Sequence, residues 1–161
     1  MNFRFLVIEK DEITNMHRDI FAKMLKYQGK VKGDINKKAD RCKIICFAFS
    51  NENIAAIGAL KRKTVSDFSP QKADLLSFEK EFEWELGYIY TLPKHQGKGL
   101  ARNVVSALLE SFGEGNLMAS TEFYENPKMV HILESNDFKP YGKLWKSDIH
   151  ENYLGLFLRF K

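Results

Sequence analysis

The segment that most constrains this chain is Glu85-Leu-Gly-Tyr-Ile-Tyr-Thr-Leu-Pro-Lys-His-Gln-Gly-Lys-Gly-Leu-Ala-Arg102, with its continuation to Glu110. An extended run breaks at Pro93, and Gly97 and Gly99 make a short bare loop. Val104, Val105, Leu108, Leu109 and Phe112 then recur at helical spacing until Gly113 ends the pattern. A strand that feeds a glycine turn into a helix start aims several unpartnered backbone N–H groups at one point, with the helix dipole behind them. That is an anion site suited to phosphate. A side chain at Gly97 or Gly99 would hold a phosphate off the backbone or forbid the turn. The plain alternative is a tight strand-to-helix turn with no ligand. The spacing matches neither the dinucleotide fingerprint nor the nucleotide-triphosphate loop.

The rest of the chain supplies one ordinary domain around that segment, residues 1–161. Hydrophobic residues make up 44% and charged residues 29%, the balance of a globular protein rather than a disordered one. A net charge of +4 suits an anionic ligand and permits nucleic-acid contact without demanding it. No apolar run reaches the roughly 18–20 residues of a membrane span. The opening Met-Asn-Phe-Arg-Phe-Leu-Val-Ile-Glu has too short an apolar core for a signal peptide. A cytoplasmic protein without a membrane partner is expected. Cys42 and Cys46 share one strand face, ~13 Å apart at roughly 3.3 Å per residue, too far for a disulfide. They are expected to be buried thiols acting as small apolar groups.

In order, Phe3–Ile8 is expected as a strand, and Asp11 to Tyr27 as a helix with Ile13, Met16, Ile20, Phe21, Met24 and Leu25 as its apolar stripe. Residues 29–40 are polar and basic, a loop or short helix with a solvated face. Residues 42–50 and 54–62 form a hairpin around Asn51-Glu-Asn53. Its second strand is so apolar that it should be central and covered on both faces. Residues 63–80 lack a clear period and are expected to be a mobile substrate-side loop. Strand 81–91, the glycine loop and its helix follow. After a short strand at Leu117–Thr121, Asn126 and Pro127 open a further helix. Phe138–Trp145 and Tyr153–Phe160 close the chain as antiparallel strands. The fold class is α/β, a mixed, mostly antiparallel central sheet with helices on both faces.

Gln96-Gly-Lys-Gly99-Leu-Ala101, standing after an apolar strand that ends in proline, resembles the acyl-CoA loop [Q/R]-x-x-G-x-[G/A] of the GNAT superfamily of N-acetyltransferases. Asn126-Pro-Lys-Met-Val-His-Ile-Leu-Glu-Ser-Asn-Asp-Phe138 resembles the family's second landmark, an Asn opening a helix that ends in Gly-Phe. The resemblance spans residues 41 to 138, and 85–109 is its specific part. It implies a GNAT-like order of strand, helix, hairpin, central strand, helix, strand, helix and two strands.

The resemblance further implies that acetyl-CoA is the cosubstrate and that a primary amine attacks its thioester directly, with positioning as the main source of catalysis. The main chain of Thr91 and Leu92 would pair with the pantetheine amides. The N–H groups of Gln96, Gly97, Lys98, Gly99, Leu100 and Ala101 would take the pyrophosphate, with the Lys98 cation beside it. Splay of the central strand from Leu117–Ser120 would open the cleft for the thioester. Asn126 would touch the pantetheine, act as a plain N-cap, or do both. Glu85, six residues before Thr91, matches the strand glutamate that serves some members as base. A solvated carboxylate is its bland alternative and the preferred reading for Glu81 and Glu83.

Two departures stand out. Leu133 occupies the position where the family often has the tyrosine that protonates the leaving thiolate, and Asp137 replaces the glycine before Phe138. Tyr124 is the substitute acid to test first, with His131 as a weaker one. His95 reads as an incidental neighbour of the loop, and His17 and His150 belong to no constellation. The acceptor pocket would draw on residues 20–40, 63–80 and the last hairpin. Glutamates on the central strand favour a cationic acceptor such as a polyamine, an aminoglycoside or a protein amine. Two other readings stay open: a CoA-binding regulator without turnover, and a member directed at tRNA or DNA. A homodimer is compatible with the sequence.

Overall fold

The computed structural model describes residues 2–161. Seven strands hydrogen-bond in the order β1-β2-β3-β4-β5-β7-β6. They are β1 Phe3–Glu9, β2 Cys42–Ser50, β3 Asn53–Arg62, β4 Trp84–Thr91, β5 Leu117–Glu122, β6 Lys139–Lys146 and β7 Tyr153–Arg159. The helices are α1 Asn15–Gln28, α2 Leu100–Phe112 and α3 Pro127–Ser135. The β4–β5 pair is parallel, and β1–β2, β2–β3, β5–β7 and β6–β7 are antiparallel. The expected α/β class and mixed, mostly antiparallel sheet are therefore present. No helix among the described residues is long and apolar enough to cross a membrane.

The chain forms two compact units, one of residues 1–61 and 86–113 and the other of 62–85 and 114–161. In the first, β3 is buried continuously from Ala55 to Lys61, as its apolar run requires. Helix α2 packs so closely that a Cβ at Gly58 would lie 2.5 Å from Val104 Cγ1 and 2.7 Å from Ile89 Cδ1. Against the other side of this unit's strands lies a core built on Phe21, Met24, Leu25, Phe47 and Ile57, joined by Tyr88 and Tyr90.

Helix α1 begins at Asn15, not Asp11. Lys10–Glu12 form a separate 3-10 turn, and Thr14 caps the helix. The cap is reciprocal: Thr14 Oγ1 accepts from the His17 N–H at 3.3 Å, and His17 Nδ1 accepts from the Thr14 N–H at 3.1 Å. With that start the buried stripe runs through Phe21, Met24 and Leu25. The His17 ring lies 5.9 Å from that of Phe47. Met16, one position from the His17 line and so about 100° round the helix, is 65% exposed rather than buried. The basic stretch after α1 forms a 3-10 turn at Ile35–Arg41.

In the second unit the expectation of a mobile segment over 63–80 fails. Val65–Phe68 and Leu76–Glu81 are 3-10 turns, and Phe68, Ala73 and Phe82 are buried with Met118, Trp145, Leu156 and Leu158. The Lys143 N–H reaches out of β6 to the Ala73 carbonyl at 2.9 Å. The segment lacks a period because its apolar residues fill a core from turns, where no repeat is needed. For the same reason β4 starts at Trp84 rather than at residue 81.

Cys42 and Cys46 are free and buried, and burial pushes both thiols up to about 12. The thiolate is the reactive form. Both are therefore expected to resist alkylation in the native protein and to label fully after denaturation, as counted by mass spectrometry.

Candidate active site

The first unit carries the glycine loop. Pro93–His95 form one 3-10 turn, in which the His95 N–H donates to the Leu92 carbonyl at 2.9 Å and the Gln96 N–H to the Pro93 carbonyl at 3.3 Å. The chain then passes Gly97 at φ 79° and Gly99 at φ 76°, left-handed values that glycine alone adopts freely. At neither position would a Cβ meet any atom within 4 Å, so the bend is an open cradle. Gly99 is also the N-cap of α2. Among the described residues, the amides of Gly97, Gly99, Leu100 and Ala101 donate to no protein partner. These are the donors that a diphosphate needs. Gln96 contributes differently: its amide is committed to Pro93, and its side-chain Nε2 approaches the Thr91 carbonyl at 3.4 Å. Lys98 extends its ammonium over the Phe3 ring, 5.9 Å from the centroid, and has further interactions in the fold.

Of the two residues expected to face pantetheine, Leu92 is already engaged. Its N–H donates to the Ala55 carbonyl at 2.9 Å, and its carbonyl accepts from His95. Thr91 closes β4 and accepts the long Gln96 contact.

Two features of this unit were not read from the sequence. Tyr88, inside β4, has φ 56°. A bulky residue there is a genuine outlier and costs on the order of 1–3 kcal/mol. Gly87 adjoins it, so composition gives no hint that the tyrosine takes the strained place. The Tyr88 ring meets Phe21 edge-on at 5.5 Å, and the Lys61 ammonium sits 5.1 Å above it.

The second feature is His95, only 6% exposed, with Nδ1 buried and lacking a hydrogen-bond partner among the described residues. Its ring stands edge-on to Phe3 at 5.6 Å. Burial holds its pKa below the usual 6.5, and Lys98 and Lys94 act in the same direction. The unfolded chain therefore takes up this proton first as pH falls, and stability present above about pH 6.5 is lost below it. Thermal denaturation is expected to show the wild type weakening from pH 7.5 to 5.5, with a smaller decline in His95→Gln; equal declines would remove His95 as the cause.

The second unit carries the other candidates. Glu85 is 5% exposed, and its Oε1 accepts from the Thr64 N–H and Oγ1, each at 2.8 Å. It is a fixed, buried carboxylate rather than a solvated strand-edge one. Glu83 pairs with Arg62 at 2.9 Å and Glu79 with Lys63 at 3.0 Å, so neither is a bare charge. Asn126 caps α3 by accepting from the Met129 N–H at 3.2 Å, with Pro127 next in place. Tyr124 is 65% exposed, its ring edge-on to Phe123 at 5.2 Å. Leu133 is buried in the core, which accounts for an apolar residue there. Asp137, which stands where the resemblance has a glycine, holds a left-handed backbone with φ 68°. Asp is among the few non-glycine residues that tolerate it. His131 is exposed on α3, and His150 is engaged by Glu122 through Nε2 at 3.0 Å.

The order of elements and the bare bend before α2 are those that the GNAT resemblance implies. The acetyltransferase (GNAT) family matches residues 11–138, and the chain belongs to that family. It is accordingly an acetyltransferase whose cosubstrate is acetyl-CoA. No curated protein matches the chain significantly. Among solved structures, it is similar to an acyl-CoA N-acyltransferase from Pseudomonas aeruginosa, with TM-score 0.70, 9% identity, and 98% and 99% of the two chains covered. Ribosomal-protein-alanine N-acetyltransferase from Brucella melitensis aligns with TM-score 0.66 at 14% identity, over 97% and 99%. The protein yncA from Salmonella typhimurium, solved with its cofactor acetyl-CoA, aligns with TM-score 0.63 at 14% identity, over 98% and 93%. Likenesses at these identities concern the fold.

Proposed function

We propose that this protein transfers the acetyl group of acetyl-CoA to a primary amine by direct attack in a ternary complex. The observation that carries the reading is the open bend at Gly97 and Gly99 with uncommitted amides at Gly97, Gly99, Leu100 and Ala101. Those groups hold the diphosphate, Lys98 adds a cation, and the Thr91 main chain meets the pantetheine. Leu92 and Gln96 contribute by fixing the bend, since their amides are used within the fold. Asn126 opens α3 and remains a candidate pantetheine contact. The amine nitrogen, once deprotonated, bonds to the thioester carbon. The C–S bond breaks, and the thiolate takes a proton to leave as CoA. Glu85 or water accepts the amine proton, and exposed Tyr124 is the candidate donor to the thiolate.

Thr64 holds Glu85 in one position. Glu85→Gln keeps an oxygen for Thr64 to bind and removes the negative charge and the capacity to take a proton. With Glu85 as base, turnover should fall by about 100-fold or more with acetyl-CoA affinity unchanged. Full turnover would assign the step to water. Calorimetric titration with acetyl-CoA, followed by CoA release across an amine panel, tests the whole reading. Absence of binding would reject it. Binding without release would favour a regulator, a role to which buried Leu133 in the tyrosine position lends support.

A further inference from the structure

Strand β4 lies between β3 and β5 in the sheet, and β3 beside it is buried from Ala55 to Lys61. On β4, by contrast, Gly87, Tyr88, Ile89, Tyr90 and Thr91 are each only half-buried. Successive residues of a strand point to opposite faces, so five in a row do not come from one solvated face. This half of the strand is open along its length, and Tyr88 sits within it at φ 56°. Gly87, the neighbour that could turn the backbone without strain, is not the residue turned.

Three side chains of the first unit hold this place. Gln28 Nε2 donates to the Ile89 carbonyl at 3.3 Å, across 61 positions of sequence. Gln28 is the last residue of α1, and the Gly29 N–H closes that helix on the Leu25 carbonyl at 3.0 Å, so the donor comes from a fixed end. The fully buried Phe21 ring meets the Tyr88 ring edge-on at 5.5 Å, and the Lys61 ammonium lies 5.1 Å from its centre. Strained backbone persists only where its surroundings over-determine it. Phe21 and Lys61 fix the Tyr88 side chain. Gln28 acts on the main chain, at the residue that follows the turned one.

In the transferase reading above, the diphosphate lies at the 97–101 bend and the pantetheine passes Thr91. The acetyl end of the donor then falls farther back on β4, along its open half. Resting on that reading, we infer that Gln28 is a positioning residue for the transfer: its hydrogen bond to Ile89 keeps the turned main chain at Tyr88 in the single arrangement against which the acetyl group is held. The end of α1 thereby sets the geometry at the reacting end of the donor without touching it.

The test reads the donor directly and needs no acceptor. Acetyl-CoA isotope-labelled at its acetyl carbonyl is bound to the wild type, Gln28→Met and Gln28→Lys, and the carbonyl stretch is recorded by difference infrared spectroscopy. Calorimetry gives the affinity of each protein for acetyl-CoA and for CoA. Methionine keeps the length of glutamine and loses the donor, whereas lysine keeps a donor. In the wild type the bound carbonyl band should be displaced from that of free acetyl-CoA. In Gln28→Met it should return toward the free position, with acetyl-CoA affinity about three- to tenfold weaker, the range for one hydrogen bond, and CoA affinity unchanged. Gln28→Lys should stay near the wild type on both counts. A wild-type band at the free position, a Gln28→Met band unchanged from wild type, equal losses of acetyl-CoA and CoA affinity, or a Gln28→Lys variant that behaves like Gln28→Met would each overturn this inference alone. Failure of the wild type to bind acetyl-CoA would overturn the transferase reading and this inference with it.

Discussion

Replacing Gly99 with valine is expected to abolish measurable acetyl-CoA binding in a protein that remains folded. Gly99 has φ 76°, and a β-branched residue held there costs about 1–2 kcal/mol. That is a modest share of the roughly 5–15 kcal/mol that stabilises a typical domain. The loss in binding is larger, because the new methyl groups occupy the space next to the bare amides and keep a diphosphate from closing on them. A hydrogen bond to a charged group contributes about 1.5–3 kcal/mol, so losing two corresponds to at least 100-fold in affinity. Calorimetry reads the affinity and thermal denaturation the fold. Affinity within a few-fold of wild type would mean that the bend is only a connection between β4 and α2.

The largest expected effect on stability lies in the segment whose sequence looked least structured. Phe68→Ala should lower the unfolding free energy by about 3–5 kcal/mol, the range for truncating a buried aromatic. The Phe68 side chain is fully buried, its ring 5.9 Å from that of Phe82 in the core shared with Trp145 and Leu158. Equilibrium urea unfolding gives the number. A change below about 0.5 kcal/mol, as for an exposed loop position, would restore the mobile segment that the composition suggested.

That contrast marks where the sequence stops being informative. The bend at 97–99 was legible because two glycines, a preceding proline and a following helical period each carry their own physical meaning, and they agree. The buried run of β3 was legible for the same reason. Segment 63–80 was not, since residues such as Phe68 and Phe82 reach a core from turns and leave no repeat to count. Individual site residues divide in the same way. Asn126 as a cap follows from its local spacing to Met129. The burial of Glu85 and its bonds to Thr64 depend on a pairing across 21 positions, which no local pattern encodes. Tyr88 is the extreme case, because its neighbour Gly87 is the residue that propensity would have chosen for the unusual backbone.

The contact between Phe3 and the loop has a practical side. Phe3 closes over His95 and lies under the Lys98 ammonium, so the first strand of the chain forms part of the wall behind the diphosphate bend. Trimming that takes Phe3 away would remove the ring that stands against His95 and lies under the Lys98 ammonium. Such a preparation would be a poor one in which to test the donor site proposed for that bend.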